Sequence, residues 1–226
     1  MRSRFALSFL MILAAGSALA QDVESEKGKL SYAVGWDIGQ DIKRRSSDFD
    51  VESLIAAIRD TVADRDPQVT GEEMQALMTA LQQKVRNEQV AAFKALADKN
   101  QADSEAFLEG NKTKTGIVVM PSGVQYRIIE EGEGARPGME SSVKVHYRGS
   151  KMNGREFDSS FARGVPEEFV VNAVLQGWQE VLPLMKQGAT WQIFVPPEMA
   201  FGQRGKPPVG PNEALMFDLK LVEIIQ

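Results

Sequence analysis

The sequence contains no cysteine and a single histidine, His146, in 226 residues. Thiol catalysis, disulfide exchange and thiolate metal sites are therefore excluded, and disulfides cannot be used to infer the compartment. One imidazole also excludes a His-rich metal site and any Ser-His-Asp triad away from its own strand. Long hydrophobic runs are lacking except at the N-terminus. There Arg2 and Arg4 precede an apolar stretch from Phe5 to Gly16, and Ala18-Leu19-Ala20 offers a small-residue cleavage site, which together read as a signal peptide over residues 1–20. The stretch is too short to cross a bilayer. Gln21 follows the expected cut, so no cysteine is available there for lipidation. Export without a membrane anchor is the simplest reading, with a buried first helix or a signal anchor as the alternative. Basic residues are the minority: the chain carries a net charge of −5, and loss of Arg2 and Arg4 takes it to −7. That balance argues against nucleic acid and anionic membrane as partners.

What is present divides into a helical half and a β half. From Glu24 to Ile42 apolar residues recur at spacings of three and four, which predicts a helix despite Gly35 and Gly39; those glycines lie near one face and could let another helix approach closely. An Asp50 cap predicts a second helix to about Ala63, broken by Asp66-Pro67. Thr70 to Glu73 resembles a capping box opening a third helix. This one is expected to run about 37 residues, ending at Gly110, a rod on the order of 55 Å. Its first half, with Met74, Leu77, Met78, Leu81 and Val85, is apolar enough to need a partner, while its polar second half reads as a solvated spacer. Two helices broken near Asp98 to Ala102 are the alternative. About 65 residues cannot hide this much apolar surface alone, so a homodimer through the region is expected.

After Gly123 the hydrophobic period changes to two. Val124, Tyr126 and Ile128 alternate, as do Trp191, Ile193 and Val195, and finally Leu215, Phe217, Leu219 and Leu221. One short helix is expected from about Asn172 to Lys186. The fold class is α+β, an antiparallel sheet wrapped on a short helix and preceded by an all-helical region. The domains expected are 21–69 for dimerisation, 70–113 for the connecting helix and 114–226 for the β domain. The glycines between Glu131 and Gly138 lack the GK[ST] ending and following helix of a phosphate loop. The stretch VKVHYRGSKMNGREFDSSFARG, Val143 to Gly164, reads as a strand, an Asn153-Gly154 turn and a second strand delivering Phe157 and Asp158. His146 faces away from Tyr147 and is expected to be solvated or locally hydrogen-bonded.

These residues carry a resemblance. The tyrosine strand, FDSS, Arg163, the Gly177-Trp178 pair, the segment Phe194 to Gly202 and Leu215-Met216-Phe217-Asp218 occur in the order found in FKBP-type peptidyl-prolyl isomerases, over roughly the last 110 residues. The helical half resembles the macrophage infectivity potentiator (Mip) group of exported bacterial isomerases, in which an intertwined helical dimer holds two catalytic domains apart. The resemblance implies a pocket with Trp178 as floor and Tyr147, Phe157 and Phe217 as walls. It further implies Asp158 hydrogen-bonding within the pocket, supported by Tyr147 and Arg163, and Phe169, Val174, Leu175, Phe201 and Val209 contacting substrate, the Leu175 amide binding a carbonyl. Taken singly, Trp178, Phe157 and Phe217 are more often plain core than site; their joint occurrence in order carries the reading. No metal and no cofactor is expected.

The chain departs from the family where Phe201 stands in place of a tyrosine, removing a hydroxyl that would donate to substrate, and where Gln176 replaces a proline. The implied function is a periplasmic peptidyl-prolyl cis-trans isomerase acting on proline-containing polypeptide clients, inhibited by macrolides of the tacrolimus and rapamycin type, with outer-membrane association or surface exposure left open. The alternatives are a client-binding chaperone dimer with incidental isomerase activity, and a structural dimer with a dead domain.

Overall fold

The computed structural model describes residues 23–44 and 48–225, divided into compact units at Gln75/Ala76. The expected signal peptide lies outside the described residues. In the first unit α1 spans Glu26–Arg44 and α2 Val51–Val62, and α3, Gly71–Lys112, begins. The caps are the ones the sequence suggests. Asp50 accepts from the Ser53 amide at 2.8 Å, and Thr70 and Glu73 cap each other, Glu73 N to Thr70 Oγ1 at 3.2 Å and Thr70 N to Glu73 Oε2 at 3.1 Å. Neither α1 nor α2 buries a residue. Leu30, Tyr32, Val34, Trp36 and Ile38 are exposed, and a Cβ added to Gly35 or Gly39 would meet nothing within 4 Å.

The second unit opens with the rest of α3, which continues unbroken past Asp98 and past Gly110 to Lys112, so Gly110 does not end it. The polar second half is not a fully solvated spacer. Asn100, Ser104 and Asn111 are buried on the face that meets the β domain. Ser104 Oγ donates to the Asn212 carbonyl at 2.9 Å and accepts from the Ala214 amide at 2.8 Å, and Asn100 Nδ2 donates to the Pro211 carbonyl at 2.8 Å. Asn111 Nδ2 reaches Gln125 Oε1 at 2.9 Å, and Gln125 Nε2 returns to the Leu108 carbonyl at 2.9 Å. Asn100 and Ser104 thus replace water for loop backbone that would otherwise be buried unpaired. Ser104→Ala orphans both the Ala214 amide and the Asn212 carbonyl. It is expected to cost about 1–3 kcal/mol of stability, measurable as a lower urea midpoint.

The strands are β1 (Val118–Val119), β2 (Gln125–Glu130), β3 (Ser142–Lys151), β4 (Glu156–Ser159), β5 (Glu167–Val170), β6 (Thr190–Val195) and β7 (Leu215–Ile225). The sheet order is β1-β2-β6-β7-β3-β4, with β5 also on β3, and every pairing is antiparallel. Val143, Val145 and Tyr147 on β3 and Leu215, Phe217, Leu219 and Leu221 on β7 are buried, as period-two alternation requires. The single helix expected over residues 172–186 is instead three pieces. A 3₁₀ turn at Val171–Ala173 precedes the α-helix α5, Gln176–Val181, and a second 3₁₀ turn follows at Leu182–Leu184. Val174 is extended and ends the first turn; Pro183 has no amide to continue the α-helical ladder, so the chain tightens there. Trp178, Val181, Leu182 and Met185 still enter the core.

Candidate active site

The hairpin β3–β4 sets the site. Gly149 on β3 pairs with Asp158 on β4 and with Phe217 on β7, so three strands converge on one backbone position. A Cβ there would lie 2.7 Å from Phe157 Cζ and 2.9 Å from Phe217 Cε1; only glycine lets both rings close over it. After Ser159 the chain makes one helical turn, α4 (Ser160–Arg163), with Ser159 Oγ accepting from the Ala162 amide at 3.2 Å and Gly164 in the left-handed region at φ 76°. That turn brings Arg163 back over Asp158. Ser160 is buried, and its Oγ accepts from the Tyr147 amide at 2.7 Å, fixing the strand beneath the Tyr147 ring. His146, on the other face, stacks on Phe161 at 4.8 Å and lies 3.1 Å from Ser160 Oγ through Nδ1, the locally bonded alternative.

The rings are set edge to face around Trp178. Its centroid lies 5.3 Å from Tyr147, 6.0 Å from Phe169 and 5.2 Å from Phe217, at interplanar angles of 71°, 89° and 88°. Phe157 stands edge-on to Phe217 at 5.9 Å. Such T-shaped contacts align ring edges with ring faces and hold each side chain in one orientation. Val209 belongs to the same cluster, and Phe157, Phe169, Val174, Leu175 and Phe201 pack against it partly exposed. Trp178 is 4% exposed, and its indole Nε1 has no partner. Leu175 caps α5, its carbonyl accepting from the Trp178 and Gln179 amides at 2.8 and 3.0 Å. Val209 is carried by a loop closed by mutual bonds between Lys206 and Val209, with Lys206 Nζ 5.7 Å from the Phe201 ring centre.

The polar side is one network. Arg163 Nη1 donates to Asp158 Oδ1 at 2.7 Å, Arg163 Nη2 to Tyr147 Oη at 2.9 Å, and Tyr147 Oη to Asp158 Oδ2 at 2.7 Å. Burial, and then the bond to Asp158, push the Tyr147 hydroxyl up to about 12, so it stays protonated and donates. Burial of Asp158 pushes its pKa up, but the bonds from Arg163 and Tyr147 outweigh that and hold the carboxyl below its ordinary value. A carboxyl with a lowered folded pKa contributes stability that is present above its unfolded pKa and is lost as the pH falls through the folded value. The network is therefore expected to be intact at neutral pH and to open only below the ordinary carboxylate range. Acid titration of the Asp158 carboxyl carbon by NMR checks this, with a midpoint under that of a free aspartate as the expected result.

All the residues expected in the pocket are thus in this cluster or bonded to it. One further residue had no signal in the sequence: Glu167 on β5, which pairs with Arg163 and lies 3.3 Å from Tyr147 Oη through Oε2. Gly164 and Pro166 interrupt the chain between the partners and hide the relationship.

Residues 27–128 match the family described as the domain amino terminal to FKBP-type peptidyl-prolyl isomerase, and residues 134–222 match FKBP-type peptidyl-prolyl cis-trans isomerase. The chain is 37% identical to the outer membrane protein MIP of Legionella longbeachae, over 99% of this chain and 98% of that protein. It is 35% identical to the peptidyl-prolyl cis-trans isomerase Mip of Coxiella burnetii, over 96% and 95%. The crystal structure of FkpA from Escherichia coli superposes with a TM-score of 0.74 at 29% identity, covering 89% of this chain and 97% of that one.

Proposed function

Because this chain belongs to the FKBP-type peptidyl-prolyl cis-trans isomerases, we propose that it accelerates X-Pro rotation in exported, unfolded or partly folded polypeptides through the aromatic cluster around Trp178. The observation that carries this reading is the joint arrangement of four rings on Trp178 or its neighbours beside the Tyr147–Asp158–Arg163 network. The prolyl bond resists rotation by about 18–20 kcal/mol because resonance gives it partial double-bond character. No bond needs to break. An apolar cup that strips water from the amide favours the twisted, less polar transition state, and accelerating by about 10⁴ to 10⁶ takes roughly 5.5–8 kcal/mol of differential stabilisation.

Trp178 supplies the floor for the proline ring, and Tyr147, Phe157 and Phe217 the walls. Asp158, fixed by two donors, presents a carboxylate that cannot turn away, and the Leu175 amide holds a substrate carbonyl. Phe201 lacks the hydroxyl that would donate to substrate, which weakens turnover by up to roughly tenfold, the worth of one hydrogen bond. Residues 1–20 direct export to the periplasm, 21–69 dimerise, 70–113 connect, and 114–226 carry the activity. The exposed faces of α1 and α2 support the dimer: they bear more apolar surface than a solitary chain leaves in water. A second reading, a client-binding dimer, is favoured by the exposed Val90, Phe93 and Leu96 on α3.

A cis-to-trans assay on an X-Pro peptide with and without tacrolimus tests the first reading. Acceleration that the drug removes is expected. A protein that suppresses client aggregation but leaves the peptide at its uncatalysed rate establishes the second reading instead. Sedimentation at the dimer mass is expected for residues 21–226, and a compact monomer contradicts the dimer.

A further inference from the structure

Glu167 is out of place by composition. It pairs across β5–β3 with Val145, and the neighbouring pair on that face is Phe169 with Val143. Directly opposed residues share a face of the sheet, and both valines are completely buried, so Glu167 lies on the apolar face of β5. Glu168, opposite Lys144, lies on the other face, where Lys144 is already paired with Glu223 at 2.8 Å. A carboxylate among such neighbours needs a partner. Its partners are Arg163 and the Tyr147 hydroxyl.

The charges there do not balance. Arg163 is the one cation of the network, and it is shared between Asp158 and Glu167. The Tyr147 hydroxyl remains neutral. One negative charge is left over, at a place where Asp158 and Arg163 are each 43% exposed and Glu167 35%, above a Tyr147 ring that is 7% exposed. The carboxylates thus reach solvent at the mouth of the cup. Lys206, on the loop that carries Val209, lies over Phe201 and has no ion pair with these carboxylates.

We propose that Glu167 is a specificity-determining residue: it makes the β4–β5 side of the pocket mouth acidic, so that prolyl bonds flanked by a basic residue are preferred. The inference rests on the isomerase reading above. A proline seated on Trp178 leaves its chain neighbours at the mouth, where a lysine meets the excess negative charge and a glutamate is repelled.

The test uses two peptide series, with Lys, Leu or Glu immediately before proline in one and immediately after it in the other, read as kcat/KM. In wild type, Lys is expected to exceed Glu in at least one series. Glu167→Gln is expected to lower that Lys-to-Glu ratio by about three- to tenfold, the range for a partly exposed charge acting on two opposite probes. Glu167→Asp keeps the charge and should keep most of the preference, and salt at about 0.5 M should flatten it. Ratios that agree within about twofold between wild type and Glu167→Gln in both series overturn the proposal while leaving the isomerase reading in place. A wild type that accelerates none of the peptides overturns that reading and this proposal with it.

Discussion

Trp178→Ala is expected to remove measurable acceleration of X-Pro isomerisation and to destabilise the β domain by about 3–5 kcal/mol, the cost of emptying an aromatic site in a packed core. Trp178 is 4% exposed and touches Tyr147, Phe169 and Phe217 at once, so its loss frees three rings that it now orients. Loss of stability alone could also silence the enzyme. Trp178→Phe separates the two effects, because it keeps most of the buried volume while shortening the floor. A Trp178→Phe protein that unfolds within a few degrees of wild type yet has lost most of its kcat/KM identifies the indole as part of the pocket. Full activity in Trp178→Phe makes Trp178 plain core. The unpartnered Nε1 adds a reason for a small penalty only: no hydrogen bond is broken on substitution.

Gly149→Ala is the second substitution with a large expected effect, and it acts through walls rather than floor. Among the described residues no bond is lost. The added methyl would sit 2.7 Å from Phe157 and 2.9 Å from Phe217, far inside van der Waals contact, and the backbone there is held between two strand pairings, to Asp158 and to Phe217, and cannot yield. The rings must therefore move. Overpacking of this kind costs about 1–3 kcal/mol, and a ring displaced by an ångström removes the contacts on which the cup depends, so a loss of activity of at least about 10²-fold is expected. The check is paired: thermal unfolding should show a modest drop, while peptide isomerisation should fall far more than stability explains. Near-normal activity in a folded Gly149→Ala protein would show that Phe157 and Phe217 do not form the walls.

Much of the fold is legible in the sequence because local rules and tertiary packing agree. The alternation of Val143, Val145 and Tyr147 marks β3, and Leu215 to Leu221 marks β7, since both bury one face. Asp50 and the Thr70–Glu73 pair mark helix starts because caps are made within a turn. What escapes depends on partners distant in sequence. Asn100 and Ser104 look like solvated helix residues until the loop at residues 211–214 supplies backbone groups for them to bond. Gly110 looks like a terminator, but the helix runs through it. Glu167 carries no local signal, because its role is set by Arg163 on the other side of a Gly–Pro interruption and by a strand whose register only the sheet defines. The apolar spacing from Leu175 to Met185 is continuous although the helix is not, because Pro183 and the extended Val174 change the backbone without removing apolar residues from the stripe.

The most direct measurement is cis–trans exchange of a short X-Pro peptide followed by NMR with the protein at substoichiometric concentration, comparing wild type with Asp158→Ala. Asp158 is chosen because it is partly exposed and its removal leaves the ring cluster packed, so a change in rate reports on the pocket rather than on folding. Wild type is expected to shorten exchange from the tens to hundreds of seconds typical of the free bond to well under a second, and Asp158→Ala to lose most of that acceleration while remaining folded. Exchange that stays at the uncatalysed rate with folded wild type, or that is equally fast with Asp158→Ala, would contradict a prolyl-isomerase pocket built on Trp178 and the Tyr147–Asp158–Arg163 network.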